Sequence, residues 1–209
     1  MNQKSDREYK DEYVLVFPAS LLQDIGPFQG INLDLDKYFE VIEKEHRFLK
    51  RADVEEDTNF KQLIPYVIMQ YKKKILSYRR GQLLSEKRLL HNYSIGIGGH
   101  ISVDDPNLFT ARYEEGMIRE VQEEIYIDTE YESKAIALIN DDTNEVGKVH
   151  FGIIHVFSLA EPKIRKREKS INELRFVTLQ EIKRNFLKYE NWSQICIENI
   201  DKLIEISIE

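Results

Sequence analysis

Apolar and polar residues alternate with two different periods along this chain, and each change of period marks an element. Glu12 to Phe17 alternates as a strand that ends at Pro18. From Leu33 to Leu49 the positions Leu35, Tyr38, Phe39, Ile42 and His46 recur near 3.6 residues, which predicts an amphipathic helix with its charges toward water. Pro65–Tyr71 and Lys74–Tyr78 are β-prone runs separated by lysines and predict adjacent antiparallel strands. Arg79-Arg80-Gly81 opens a polar connection. Tyr93 to Ile101 is an apolar strand broken by Gly96, Gly98 and Gly99, and Asp104-Asp105-Pro106-Asn107 predicts a turn or an early helix start.

The second half is patterned more strongly. A helix is predicted from about Ala111 to Ile125, with Ile118, Val121 and Ile125 packing inward. Strands follow at Glu132–Ile139 and Val146–Leu159, joined across the turn-rich Asn140–Asn144. Both faces of the second strand are apolar, so it belongs in the centre of a sheet covered on two sides. Its alternation places His150 and His155 on opposite faces, where core packing is the expected role. Leu174–Val177 is a short strand, and Thr178-Leu179-Gln180-Glu181 has the form of a capping box. Asn191 or Ser193 caps a last amphipathic helix carrying Ile195, Ile200, Leu203 and Ile204. Strands and helices intermixed in this way predict an α/β fold with a sheet buried between helices.

Composition narrows the class. At 209 residues the chain is expected to form one domain, with residues 1–60 as an N-terminal extension packed on it. Met1 to Tyr13 carries no apolar stretch, no run approaches a membrane-helix length, and a single cysteine, Cys196, excludes an internal disulfide. A cytoplasmic location without membrane contact is the expectation. Net charge is −7, from 30 basic and 37 acidic residues, which argues against nucleic acid as a partner. A homodimer is left open. Lys72-Lys73-Lys74 with Arg79-Arg80, and the stretch Lys163 to Lys169, are local basic groups that would attract phosphates if they faced an acidic cluster.

That cluster is Arg119-Glu120-Val121-Gln122-Glu123-Glu124. Three carboxylates at i, i+3 and i+4 share one helix face and repel each other by about 0.2–0.5 kcal/mol per pair. Most acidic triplets are solvated faces. Here, however, the strand upstream ends in Gly98-Gly99-His100, where missing side chains allow a close approach by a ligand or another backbone. Hard oxygen ligands of this kind suit Mg2+ or Mn2+.

Gly-Gly, a loop, then Arg-Glu-apolar-x-Glu-Glu resembles the signature box of the Nudix hydrolases, which cleave nucleoside diphosphates linked to another group. The match spans residues 98–127. The box is lengthened and partly degenerate: Ala111 stands where the family has a glutamate and Tyr126 where it has a glycine. The missing acid is then expected from Asp104, Asp105, Glu114 or Glu115. The resemblance implies a Nudix-type α/β/α sandwich with a mixed sheet and a metal held by Gly99, Glu120, Glu123 and Glu124. It further implies Glu123 and Glu120 as catalytic groups, with Glu123 or a glutamate outside the box as general base, and Arg119 as a structural partner. His100 follows the glycines and is expected to touch a small nucleotide-like substrate. Together with the N-terminal extension, Gly-Ile-Gly-Gly-His is similar to a bacterial branch described as predicted phosphoesterases. A metal-dependent phosphoanhydride hydrolase is the leading expectation, a Nudix-fold ligand sensor the alternative. An isopentenyl-diphosphate isomerase relative ranks last, because Cys196 falls in the last helix rather than near the box.

Overall fold

The computed structural model describes residues 12–81, 92–102, 109–168 and 171–208. The first half contains β1 (Tyr13–Pro18), β2 (Gly30–Asn32), α1 (Leu35–Glu45), β3 (Arg47–Lys50), β4 (Phe60–Tyr71) and β5 (Lys74–Arg80). Then come β6 (Tyr93–Ser94), β7 (Gly96–Gly98), α2 (Phe109–Glu124), β8 (Ile125–Ile127), β9 (Tyr131–Asn140), β10 (His150–Leu159), β11 (Ile164–Lys166) and β12 (Ile171–Thr178). The chain closes with α3 (Leu179–Arg184), α4 (Asn191–Glu198) and α5 (Ile200–Ile208). The main sheet has the order β12-β5-β4-β10-β9-β2, with β1 and β7 also paired to β4; a second, two-stranded sheet joins β11 to β8. β4 and β10 run parallel and their other partners antiparallel, so the sheet is mixed.

β10 sits in the middle, as its two apolar faces predict. Ile154 and Val156 pack on one side against Cys196, Ile197, Ile200 and Leu203 of α4 and α5. Phe151 and Ile153 pack on the other against Tyr38 and Ile42 of α1, and Phe157 against Met117 and Val121 of α2. Each side chain so buried contributes about 1.5–3 kcal/mol of transfer free energy. The result is the α/β/α sandwich with a mixed sheet. Cys196 is fully buried, as a small hydrophobe in that position should be.

Five expectations change. The first helix stops at Glu45 rather than Leu49, because Phe48 and Leu49 pair with Leu15 and Val14 of β1 and take up a period of two. β4 begins at Phe60, with Pro65 inside it. Pro65 lies opposite Ile153 of β10, and on the other edge it falls between the residues paired to β1 and those paired to β7. Residues Glu145–Val149 form a helical turn, not strand, since the Asn144 side chain accepts from Gly147 N at 2.9 Å and caps it. The last helix is two helices, α4 and α5, and the cap of α4 is Glu190 rather than Asn191 or Ser193. The inward stripe of α2 runs Tyr113, Met117 and Val121 and continues into Ile125 of β8, with Ile118 only partly buried. The predicted turn at Asp104–Asn107 lies outside the described residues.

Of two smaller expectations, the first holds and the second holds in part. β4 and β5 pair as a hairpin, turning at Lys72 with φ 54°. Thr178 accepts from Glu181 N at 3.2 Å, but the Glu181 carboxylate bonds Arg175 instead of closing the capping box.

Candidate active site

Close packing of backbone on side chain begins at β7. Its glycines pair with β4, Gly98 opposite Tyr66, and the Tyr66 ring occupies the space that a Cβ on Gly96 would need. The Tyr66 hydroxyl donates to Glu190 Oε1 at 2.8 Å. That buried carboxylate also accepts from the backbone N–H groups of Trp192 and Ser193 at 2.9 Å. Ser193 Oγ in turn accepts from Ile95 N at 3.0 Å. Thus the start of α4 clamps the strand that leads into Gly98 and Gly99. At Gly99 a Cβ would overlap the Glu120 carboxylate, so the Glu120 side chain lies directly on this backbone.

α2 presents the other wall. Arg119 donates to Glu120 at 2.7 Å, to Glu123 at 3.1 Å, and to the His100 carbonyl at 3.0 Å. It ties the acidic face to the glycine turn. Glu120 is the enclosed member of that pair of acids, with 19% of its side chain exposed against 57% for Glu123. Burial raises the Glu120 carboxyl above the usual range, against the pull of Arg119. Glu124 sits at the helix end, where its carbonyl accepts from Arg167 N at 2.9 Å and Glu168 N at 3.1 Å. Burial pushes its carboxyl up to about 7, reinforced by the Glu168 carboxylate beside it and by Glu120, while Arg80 pulls the other way. Among the described residues no three acidic or imidazole groups stand in a ready ligand arrangement. The donor set nonetheless fits a hard divalent cation: Glu120 and Glu124 are crowded acids held above their ordinary pKa, with Gly99 backbone against one and Glu168 against the other.

His100 turns toward a second imidazole. Its Nε2 lies 3.3 Å from His150 Nε2, and His150 Nδ1 donates to the Val146 carbonyl at 2.7 Å. With Nδ1 donating to Val146, the His150 ring offers Nε2 as an acceptor to His100. Burial, then Arg51, His150 and Arg119, holds His100 well below the ordinary imidazole range, so it is neutral. His150, expected in the core, instead joins the rim of the site. His155 stays in the core, with Nε2 2.8 Å from the Tyr113 hydroxyl and its pKa lowered to about 4 by burial.

Glu168 was not singled out from the sequence, and Arg80 only as part of a basic group. Glu168 is the one acid in the basic stretch Lys163–Lys169, and β11–β8 pairing brings it to Glu124. Arg80 reaches the same place from the end of β5. Of the acids proposed to replace the missing box glutamate, Glu114 and Glu115 are exposed, while Asp104 and Asp105 lie outside the described residues. Tyr126 does not cap the helix in a left-handed conformation: it lies in β8 opposite Arg165, and α2 runs straight into that strand. On the far side of His150, the Gly26–Gly30 turn borders a hollow of about 670 Å³ with Leu22, Phe28, Lys61 and Asp142. Buried Lys61 bonds Asp142 there at 2.5 Å.

No family model matches the chain. Protein YmaB of Bacillus subtilis (strain 168) is 31% identical over 204 residues, covering 91% of this chain and 98% of that protein. The crystal structure of Tm1382, assigned to the Nudix hydrolases, superposes with a TM-score of 0.78 at 28% identity, over 92% of this chain and all of that one. The chain belongs to the Nudix superfamily. More distant structures share only the fold. The Nudix domain of Shewanella oneidensis NrtR, complexed with ADP ribose, aligns at TM-score 0.51 and 11% identity over 71% of this chain and 89% of its own. A bifunctional NMN adenylyltransferase/ADP ribose pyrophosphatase from Francisella tularensis, complexed with AMP and Mn ion, aligns at 0.51 and 14% over 68% and 42%. No helix among the described residues is long and apolar enough to cross a membrane.

Proposed function

We propose that this protein is a metal-dependent hydrolase of the phosphoanhydride bond in a nucleoside diphosphate derivative. The observation that carries this reading is the meeting of Glu120, on the Gly99 backbone, with Glu124 and the Glu168 that lies against it. Mg2+ or Mn2+ would be held by Glu120, Glu124 and the Gly99 carbonyl, with Glu123 at the rim. Such an ion neutralises a diphosphate and lowers the pKa of water. We assign the general base to Glu168, which lies against Glu124, rather than to Glu123, whose carboxylate is engaged by Arg119. Glu168 takes a proton from the attacking water as oxygen adds to phosphorus and the bridging oxygen departs. Arg119 keeps Glu120 turned toward Gly99, and His100, a neutral donor-acceptor beside Arg119, would meet the phosphate. The fold relatives bound to AMP with manganese and to ADP ribose make those nucleotides the first to try.

A screen of nucleoside diphosphate derivatives with product identification tests this reading. Wild type should release a nucleoside monophosphate with Mg2+ or Mn2+, and Glu124→Gln should lose about 10³-fold or more. The departures at Ala111 and Tyr126 favour, as a second reading, a ligand sensor that does not cleave. Tight nucleotide binding without any product would select it.

A further inference from the structure

β5 alternates, so Tyr78 and Arg80 point to the same side of the sheet, the side on which α2 packs. Tyr78 is buried there with Met117 and Val121, and its hydroxyl donates to the Gly96 carbonyl at 2.9 Å. Arg80 lies two residues further along, its guanidinium carbon 5.9 Å from the Tyr78 ring centre. Its backbone is pinned from two sides, by pairing with Ile171 of β12 and by donation to the Asn92 carbonyl at 3.0 Å. The side chain is placed by these contacts yet left chemically open. Nε is buried with no acceptor among the described residues, although the residue as a whole keeps some exposure.

The neighbouring cations are engaged in other ways. Arg119 bonds Glu120, Glu123 and the His100 carbonyl. Arg165 forks onto Asp128, and Arg167 donates to the Gln122 carbonyl at 2.7 Å. Arg80 alone among these four has neither an ion pair nor a side-chain hydrogen bond with a described residue; burial works against its charge, and Tyr78, Glu190 and Glu124 act on it electrostatically. An arginine that served only to neutralise Glu124 would close onto it as a fork, because that geometry is the one guanidinium and carboxylate prefer. Arg80 makes no such hydrogen-bonded fork with Glu124, which acts on it through charge alone.

We propose that Arg80 is the phosphate anchor of this site: its guanidinium takes the phosphate oxygens of a bound nucleotide beside Glu124. A planar fork of donors matches two phosphate oxygens, and a half-buried position strengthens each bond relative to water. The assignment rests on the reading that the box takes a nucleotide-like ligand, and it is tested by binding rather than by turnover.

The test is calorimetric titration of the full chain with AMP, and separately with adenosine, in saturating Mn2+. Arg80→Gln should weaken AMP by about 10- to 100-fold, the loss of a charge-assisted pair, and Arg80→Lys should fall between the two. Adenosine affinity should not change, and Mn2+ affinity without nucleotide should not weaken. Because the glutamine variant removes a buried charge and its fold must be checked by melting, a second measurement uses wild type alone. The Arg80 Nε–H resonance should shift and become protected on adding inorganic phosphate with Mn2+. AMP affinity within twofold of wild type in a folded Arg80→Gln protein, or an Arg80 resonance indifferent to phosphate, overturns the proposal. Absence of turnover with AMP binding still dependent on Arg80 would sink the hydrolase reading and leave the anchor. Metal-dependent turnover with unaltered AMP affinity would do the reverse.

Discussion

Replacing Glu124 by glutamine should make the metal-free protein more stable at alkaline pH. The Glu124 carboxyl is raised from 4.5 to about 7 by burial and by Glu168 and Glu120. An acid raised in the fold favours the protonated form there. Its contribution is therefore fully present below the unfolded pKa and is lost as pH climbs through the folded one. The full displacement corresponds to about 3 kcal/mol at pH 8, at roughly 1.4 kcal/mol per pH unit. At pH 5.5 the unfolded carboxyl is already mostly ionised, so about 1 kcal/mol of that cost is present and about 2 kcal/mol remains to appear. Partial solvent access lowers the remainder to about 1–2 kcal/mol. Urea unfolding in EDTA at pH 5.5 and 8.0, with m held common, measures it. Wild type should lose about 1–2 kcal/mol more than Glu124→Gln across this interval. Added Mn2+ should restore wild type at pH 8 and leave the variant unchanged. Parallel losses in the two proteins would refute the claim that Glu124 is a crowded, partly buried acid.

Gly99→Ala should reduce turnover by about 100-fold, since its methyl group displaces the Glu120 carboxylate, while the melting temperature moves little; steady-state kinetics alongside calorimetry checks both. Tyr126→Gly, which restores the family residue, should destabilise by about 1 kcal/mol, because position 126 is a strand residue and Tyr126 carries Arg165 4.7 Å from its ring. Stabilisation by that change would contradict the strand assignment. His155, held at about 4 by burial, binds its proton only on unfolding. Its contribution is complete above 6.5 and fades as pH falls toward 4, so a His155→Phe protein should show a flatter acid limb between those values in denaturant titrations.

Much of the fold was legible because its elements carry clean periods. β10, with two apolar faces, reads as central and is central. The acidic face of α2 and the glycines before it are also legible, since spacing on one helix and a missing Cβ are local properties. Boundaries were lost where two local signals compete. Phe48 and Leu49 satisfy a helical period as well as a strand, and pairing with β1 decides for the strand. Val146 and Val149 are β-prone, yet the Asn144 cap draws them into a helical turn. Glu168 was illegible for a different reason. It has no motif and reaches Glu124 only through the pairing of β11 with β8, which no single window of residues records; Arg80 was visible only as part of a basic group, without its partner. His150 was assigned to the core by alternation, but it is the first residue of β10, and there its ring meets His100 instead.

The central claim is that these carboxylates direct water onto phosphorus. It is tested most directly by incubating wild type with ADP-ribose and related nucleoside diphosphate derivatives in ¹⁸O-water, with Mn2+ or with EDTA, and weighing the products. The account predicts one heavy oxygen in a released phosphorylated product with Mn2+, and none with EDTA or with Glu124→Gln. Saturable nucleotide binding with no label incorporated under any condition would contradict it.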